Sequence, residues 1–130
     1  MPSVKQRILI VDDEERIRRS LRAYLEDEGF QVIMAESGEE GLHMLAKERP
    51  DAAIVDIRLS GMDGNVFIER AHQIRSQMTF FICTGSVGYR PPESLKAIGV
   101  EEEQVFRKPL TDLSVLVASI ARLMEERHGQ

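Results

Sequence analysis

The stretch Ile8-Leu9-Ile10-Val11-Asp12-Asp13 decides how the rest of the chain reads. Four apolar residues, mostly β-branched, stop abruptly at two carboxylates. A run that short, without polar alternation, reads as a strand buried on both faces. Comparable runs occupy residues 30–34, 52–55 and 80–83, with a weaker one at 104–106. Helical spacings fill the gaps. Ile17, Leu21 and Leu25 recur every four residues, and Gly29 is placed to close that helix in a left-handed turn. Ser37 with Glu40 has the form of a capping box ahead of Leu42 and Leu45. Phe67, Ala71 and Ile74 stripe a third helix. Leu113, Leu116, Val117, Ile120 and Leu123 stripe a last one, starting near Thr111 or Asp112. Segment 85–103 is broken by Gly88, Pro91, Pro92 and Gly99, which leaves room only for a short helix around 93–98. The acidic run 101–103 reads as a solvated turn. Strands alternating with helices imply an α/β fold: a doubly wound, five-stranded parallel sheet in a single domain over residues 1–130.

Composition narrows the function classes. The chain has 130 residues, a net charge of −5, 42% hydrophobic and 30% charged residues. That balance excludes a disordered chain and supports an unstapled core burying roughly two-thirds of the unfolded surface. The acidity argues against a nucleic-acid or membrane-surface binder. The single cysteine, Cys83, excludes an internal disulfide and suits a reducing compartment. No apolar run approaches bilayer length, and none of signal-peptide length follows the N-terminus. A cytoplasmic protein is expected.

In open parallel sheets, ligands bind beyond the carboxyl ends of the strands. The residues there are Asp12 and Asp13, Asp56, Thr84, and Lys108 with Pro109. The second run ends instead at Ala35 and Glu36, which gives it a peripheral place. Three carboxylates in one cleft repel: at ~4 Å each pair costs on the order of 4 kcal/mol at an effective dielectric of about 20. They call for a cation or for protons. Hard oxygen donors with open positions suit Mg²⁺. A carboxylate beside Mg²⁺ can act as a nucleophile toward a phosphoryl group, with Lys108 and the Thr84 hydroxyl holding the transferred oxygens. Taken singly, Asp12 or Asp13 could cap a helix, Asp56 could be a turn residue and Lys108 a surface charge. Four strand ends converging on one cleft favour the joint reading.

These residues resemble the receiver domain of bacterial response regulators, over about residues 6–124. The segments that carry the likeness are Ile8 to Asp13, Asp56 with Met62-Asp63-Gly64, Thr84-Gly85 and Lys108-Pro109. The resemblance implies a flavodoxin-like sheet in the order 2-1-3-4-5. It implies that Asp56 accepts a phosphoryl group from a sensor histidine kinase, a phosphotransfer protein or a small donor such as acetyl phosphate. It also implies Mg²⁺ held by Asp13, by Asp12 largely through water, by Asp56 and by the backbone carbonyl of Arg58. Thr84 and Lys108 would contact the phosphoryl group. Thr84 would then shift inward, repacking the face that a downstream protein reads. Such a protein is a switch that catalyses only its own phosphorylation and dephosphorylation. Two departures touch that coupling. Ser60 replaces the usual proline after the acceptor. Val105 stands where a switching aromatic is usual, with Phe106 one place later on the opposite strand face. A short, mobile or remodelled fourth helix is expected, and Arg58 and Ser86 are placed to gate water at Asp56.

Cys83 reads as a buried structural thiol. His43, His72 and His128 lack metal-ligand spacing, and Tyr89-Arg90 reads as an exposed loop. A flavin-binding flavodoxin needs a hydroxyl- and glycine-rich loop where Asp12–Glu15 stands. A haloacid dehalogenase-type phosphatase needs a different aspartate spacing after the first strand. The remaining alternatives are a receiver-like scaffold that binds without being phosphorylated, and a receiver cut from a larger regulator. The last helix is expected to end near Arg127, with no second domain expected after it. A monomer or weak homodimer is expected, without nucleic acid or membrane as partner.

Overall fold

Each apolar run becomes a strand in the computed structural model, which describes residues 6–128. The strands are β1 (Arg7–Val11), β2 (Gln31–Ala35), β3 (Ala52–Val55), β4 (Thr79–Thr84) and β5 (Val105–Arg107). Helices α1 (Glu15–Asp27), α2 (Gly38–Glu48), α3 (Gly64–Ile74), α4 (Glu93–Lys96) and α5 (Leu113–His128) connect and follow them. Among the described residues these strands form one parallel sheet in the order β2-β1-β3-β4-β5, as expected. β2 takes the edge that its polar ending implied.

Strand alternation splits the core into two layers. Leu9, Val11, Val55, Phe80 and Ile82 face α2, α3 and α4, where Leu45, Phe67, Ile68 and Leu95 meet them. Ile8, Ile10, Ile54, Phe81 and Cys83 face α1 and α5, against Leu21, Leu25, Leu116, Val117 and Ile120. Phe67, Phe80 and Phe81 are fully buried. Burial of a side chain of that size is worth about 1.5–3 kcal/mol. The sheet centre is therefore rigid enough to hold its strand ends in place.

Helix ends follow their sequence signals with two corrections. Gly29 adopts φ 95°, Phe30 N–H donates to Leu25 O at 3.1 Å and Gly29 N–H to Glu26 O at 3.0 Å, a Schellman ending. Ser37 Oγ accepts from Glu40 N at 3.1 Å, but Glu40 Oε1 accepts from Glu36 N at 2.6 Å rather than from Ser37. The capping box is thus displaced by one residue at its return arm. On α3 the buried set is Phe67, Ile68 and Ala71, while Ile74 is 56% exposed. Ile74 is the last residue of that helix and runs past the edge of the core.

The broken segment 85–103 holds only the four-residue α4 and the start of a 3₁₀ turn, Glu102–Gln104. Gly99 has φ 100°, with Val100 N–H bonded to Leu95 O at 3.0 Å. Leu95 and Val100 are both buried, so a single turn of helix is pinned by two apolar anchors. Val105 packs with the α3–α4 layer, and Phe106 packs on the other side, its ring centroid 6.4 Å from that of Phe81. The expected opposition of those two side chains is present.

Candidate functional site

The carboxyl ends of parallel strands share one rim, and the singled-out residues meet there. One carboxylate oxygen from each of Asp12, Asp13 and Asp56 lies within 4.8 Å of the others. Asp12 and Asp56 are buried at 2% and 5% exposure, Thr84 is wholly buried, and Asp13 is exposed. Thr84 pairs in register with Arg107, and Lys108 N–H donates to Thr84 O at 2.8 Å. β5 therefore delivers Lys108 directly beside the end of β4.

Three strand ends share one local device. Asp12 Oδ1 accepts from Glu14 N at 2.9 Å, Asp56 Oδ1 from Arg58 N at 3.1 Å, and Thr84 Oγ1 from Ser86 N at 3.1 Å. Each side chain turns the chain off its strand by binding the amide two residues on. In both aspartates Oδ1 is committed to the backbone, and Oδ2 points at Lys108. Neither Asp12 nor Asp13 is the N-cap of α1, which is Glu14. Gly64 closes the acceptor loop from behind. A Cβ there would collide with Asp56 O and come within 2.8 Å of Ile57 Cα. Only glycine lets α3 start so close to the acceptor's backbone.

Lys108 Nζ lies 3.1 Å from Asp12 Oδ2, 3.4 Å from Asp56 Oδ2 and 2.5 Å from Glu14 Oε1. Its side chain is 13% exposed. Burial pulls the Lys108 pKa down, but the hydrogen bonds it donates to Glu14 and Asp12 outweigh this and hold it above the usual lysine value. Burial raises Asp12 and Asp56 above the ordinary carboxylate range, and the amides of Glu14 and Arg58 and the Lys108 charge offset it only in part. Glu14, in water, is lowered by its hydrogen bond to Lys108. Two carboxylates raised beside a cation mark a site short of positive charge.

Comparison with known proteins agrees with this geometry. The profile of the response regulator receiver domain matches residues 8–121. The chain belongs to that family. A receiver domain protein (CheY-like) from Methanospirillum hungatei superposes with a TM-score of 0.86 at 30% identity, covering 97% of this chain and 98% of that one. The chemotaxis protein CheY4 of Vibrio cholerae superposes at 0.79 with 26% identity, covering 92% and 98%. Response regulator MprA of Mycolicibacterium vanbaalenii is 41% identical over 70 residues, which are 54% of this chain and 29% of MprA. The matched part is thus under a third of that relative's length.

In this receiver domain the Asp12, Asp13, Asp56 and Lys108 side chains converge, and Thr84 ends the adjacent strand, tied to Lys108 through its backbone carbonyl. The Arg58 side chain is exposed, and Ser86 is half-buried beside Thr84. Cys83 is buried, which pushes its thiol up to about 12, as fits a structural role. His43 and His72 join no metal-ligating group among the described residues, and the His128 side chain lies outside them. No helix among the described residues is long and apolar enough to cross a membrane.

The exposed-loop reading of Tyr89 is corrected. Tyr89 is half-buried against the α3–α4 layer, and its hydroxyl donates to Asn65 Oδ1 at 2.7 Å. Arg107 was not singled out, yet its guanidinium donates to Ser86 O at 2.9 Å and Tyr89 O at 2.8 Å. That fork straps the loop after β4 to β5. Register alone signals it: the residue opposite Thr84 must lie under that loop. Glu14 carries no sequence signal for its contact with Lys108, 94 positions away.

Proposed function

We propose that this receiver domain is a phosphorylation-dependent switch of a two-component system, with Asp56 as acceptor. One observation carries the reading. A buried carboxylate at the end of β3 has one oxygen tied to the Arg58 amide and the other aimed at Lys108, within a converging acidic group. Transfer needs little else beyond placement and charge neutralisation. A carboxylate oxygen of Asp56 attacks phosphorus and forms a P–O bond. The bond from phosphorus to the donor breaks, and its electron pair leaves with the histidine imidazole of a sensor kinase or phosphotransfer protein, or with acetate from acetyl phosphate. Lys108 then pairs with a phosphoryl oxygen. The Thr84 hydroxyl, whose oxygen now accepts from Ser86, has its proton free to donate to another.

The donor set fits Mg²⁺: three converging carboxylate oxygens, two of them on buried groups raised by desolvation, are hard ligands in need of a cation. Asp12, Asp13, Asp56 and the Arg58 carbonyl would hold it. Bound there, Mg²⁺ would neutralise charge between acceptor and phosphoryl oxygens. The protein catalyses its own phosphorylation and dephosphorylation and turns over no other substrate. The changed site alters how the loop after β4 and the α4–β5–α5 face meet a downstream protein.

The deciding experiment is intact-protein mass spectrometry after incubation with acetyl phosphate and Mg²⁺. A single phosphoryl adduct is expected, absent in Asp56→Asn and absent with chelator. A folded protein that takes no phosphoryl group would instead be a scaffold acting by binding alone.

A further inference from the structure

We propose that Glu14 is a positioning residue for Lys108. In the unphosphorylated protein it holds the ammonium away from the acceptor, and so sets how readily the site takes up a phosphoryl group. The inference rests on Asp56 being that acceptor. Of the three carboxylates around Lys108 Nζ, Glu14 makes the shortest contact, 2.5 Å, against 3.1 Å for Asp12 and 3.4 Å for Asp56. Charge-assisted hydrogen bonds are strong only when short. The ammonium is therefore engaged with Glu14 and only loosely paired with the acceptor.

Among the described residues the Glu14 side chain makes no other hydrogen bond or ion pair. Glu14 occupies the N-cap of α1, but its carboxylate makes no capping bond. The helix uses its backbone oxygen, which accepts from Arg18 N at 3.1 Å and which any residue would supply. Exposure sets the hierarchy of release. The Glu14 side chain is 58% exposed, that of Asp12 2%. Glu14 can swing into water when Lys108 leaves, whereas Asp12 cannot. An exposed ion pair is weak, so an incoming phosphoryl group can displace it at a modest penalty. Lys108 must cross from Glu14 to the phosphoryl oxygen on Asp56, and the strength of the Glu14 contact is the threshold for that crossing.

The test uses beryllium fluoride, a phosphoryl analogue, titrated in Mg²⁺ and read by fluorine NMR of the bound adduct. Four proteins are compared: the unaltered chain, Glu14→Gln, Glu14→Asp and Glu15→Gln. Glu14→Asp keeps the charge but shortens the arm by a methylene, so it loses the contact. Glu15→Gln makes the same charge change beside the site, on a carboxylate that pairs with Arg19 at 3.4 Å instead. Glu14→Gln and Glu14→Asp should each bind roughly twofold to fivefold tighter, the scale of one exposed ion pair. Glu15→Gln should bind as the unaltered chain does. In metal-free protein, the Lys108 side-chain amine resonance should move in both Glu14 variants and stay put in Glu15→Gln.

If Glu14→Asp matches the unaltered chain while Glu14→Gln tightens, the effect is field and not position, and the proposal is overturned. It is also overturned if neither Glu14 variant tightens, or if Glu15→Gln tightens equally. The absence of any adduct in the folded, unaltered chain would overturn the acceptor reading itself, a result distinct from all of these.

Discussion

The aspartates of the site work against the fold that holds them. Asp12 and Asp56 are almost fully buried, and burial raises both above the ordinary carboxylate range. A group whose folded pKa exceeds its unfolded one binds its proton more tightly when folded. Stability then falls as pH rises through that window and stays lower above it. At neutral pH, without metal, each charge is a cost. Asp56→Asn should therefore raise the Tm of the metal-free protein by a few degrees, the scale of about 1 kcal/mol in a domain this size. The gain should shrink as pH is lowered toward 4 and the folded carboxylate, raised by burial, takes up its proton more readily than the unfolded one. Thermal unfolding followed by circular dichroism at both pH values checks this, and an equal gain at both would refute it. Cys83 follows the same logic: a buried thiol raised to about 12 should react with an aromatic disulfide only after the protein is denatured.

Among the elements, the region around α4 departs furthest from regular structure. Its four helical residues are too few to hold themselves in place, and isolated short helices are marginal in water. Contacts to neighbours hold it instead: Leu95 and Val100 in the core, Tyr89 on Asn65, Ser94 on Glu69 at 2.7 Å, and the Arg107 fork on Ser86 and Tyr89. Tyr89→Phe should cost about 0.5–1.5 kcal/mol, one hydrogen bond, and Gly99→Ala about 1–2 kcal/mol, because its φ of 100° suits only glycine. Arg107→Ala should speed amide exchange selectively across residues 86–92, leaving β4 protected. Uniform acceleration along the chain would show that the fork is not local.

The sequence disclosed this region only as a gap. Pro91, Pro92 and Gly99 announce where a helix cannot run, and the gap correctly limited α4 to a short turn. Periodicity reports which face of an element is apolar, so the sheet, its buried strands and the strand ends that carry the five candidate residues were readable from local patterns. Tyr89 with Asn65 and Arg107 with Ser86 join residues far apart in sequence by single polar bonds, and no period marks them. Ile74 shows the opposite failure, a residue in phase with a stripe that outruns the core it should have met.

At the scale of the whole molecule, the sheet brings residues from four strand ends into one charge-deficient cleft, and a cation should relieve the resulting repulsion. A Mg²⁺ ion held by the folded cleft and not by the dispersed unfolded chain should raise Tm by mass action. A concentration a hundredfold above its dissociation constant adds about 2.7 kcal/mol. Protons compete for the same oxygens. Because burial raises Asp12 and Asp56, that competition begins above the ordinary carboxylate range, and the Mg²⁺-induced rise should already be falling there as pH drops. Asp13 separates metal binding from burial. It is exposed, so Asp13→Asn should leave metal-free stability within about 0.5 kcal/mol while abolishing the Mg²⁺ effect. Unfolding curves with and without Mg²⁺ from pH 4 to 8 supply the measurement. If Asp13→Asn kept the full rise, the cation would be held elsewhere, and the charge deficit at the strand ends would have to be met by Lys108 alone.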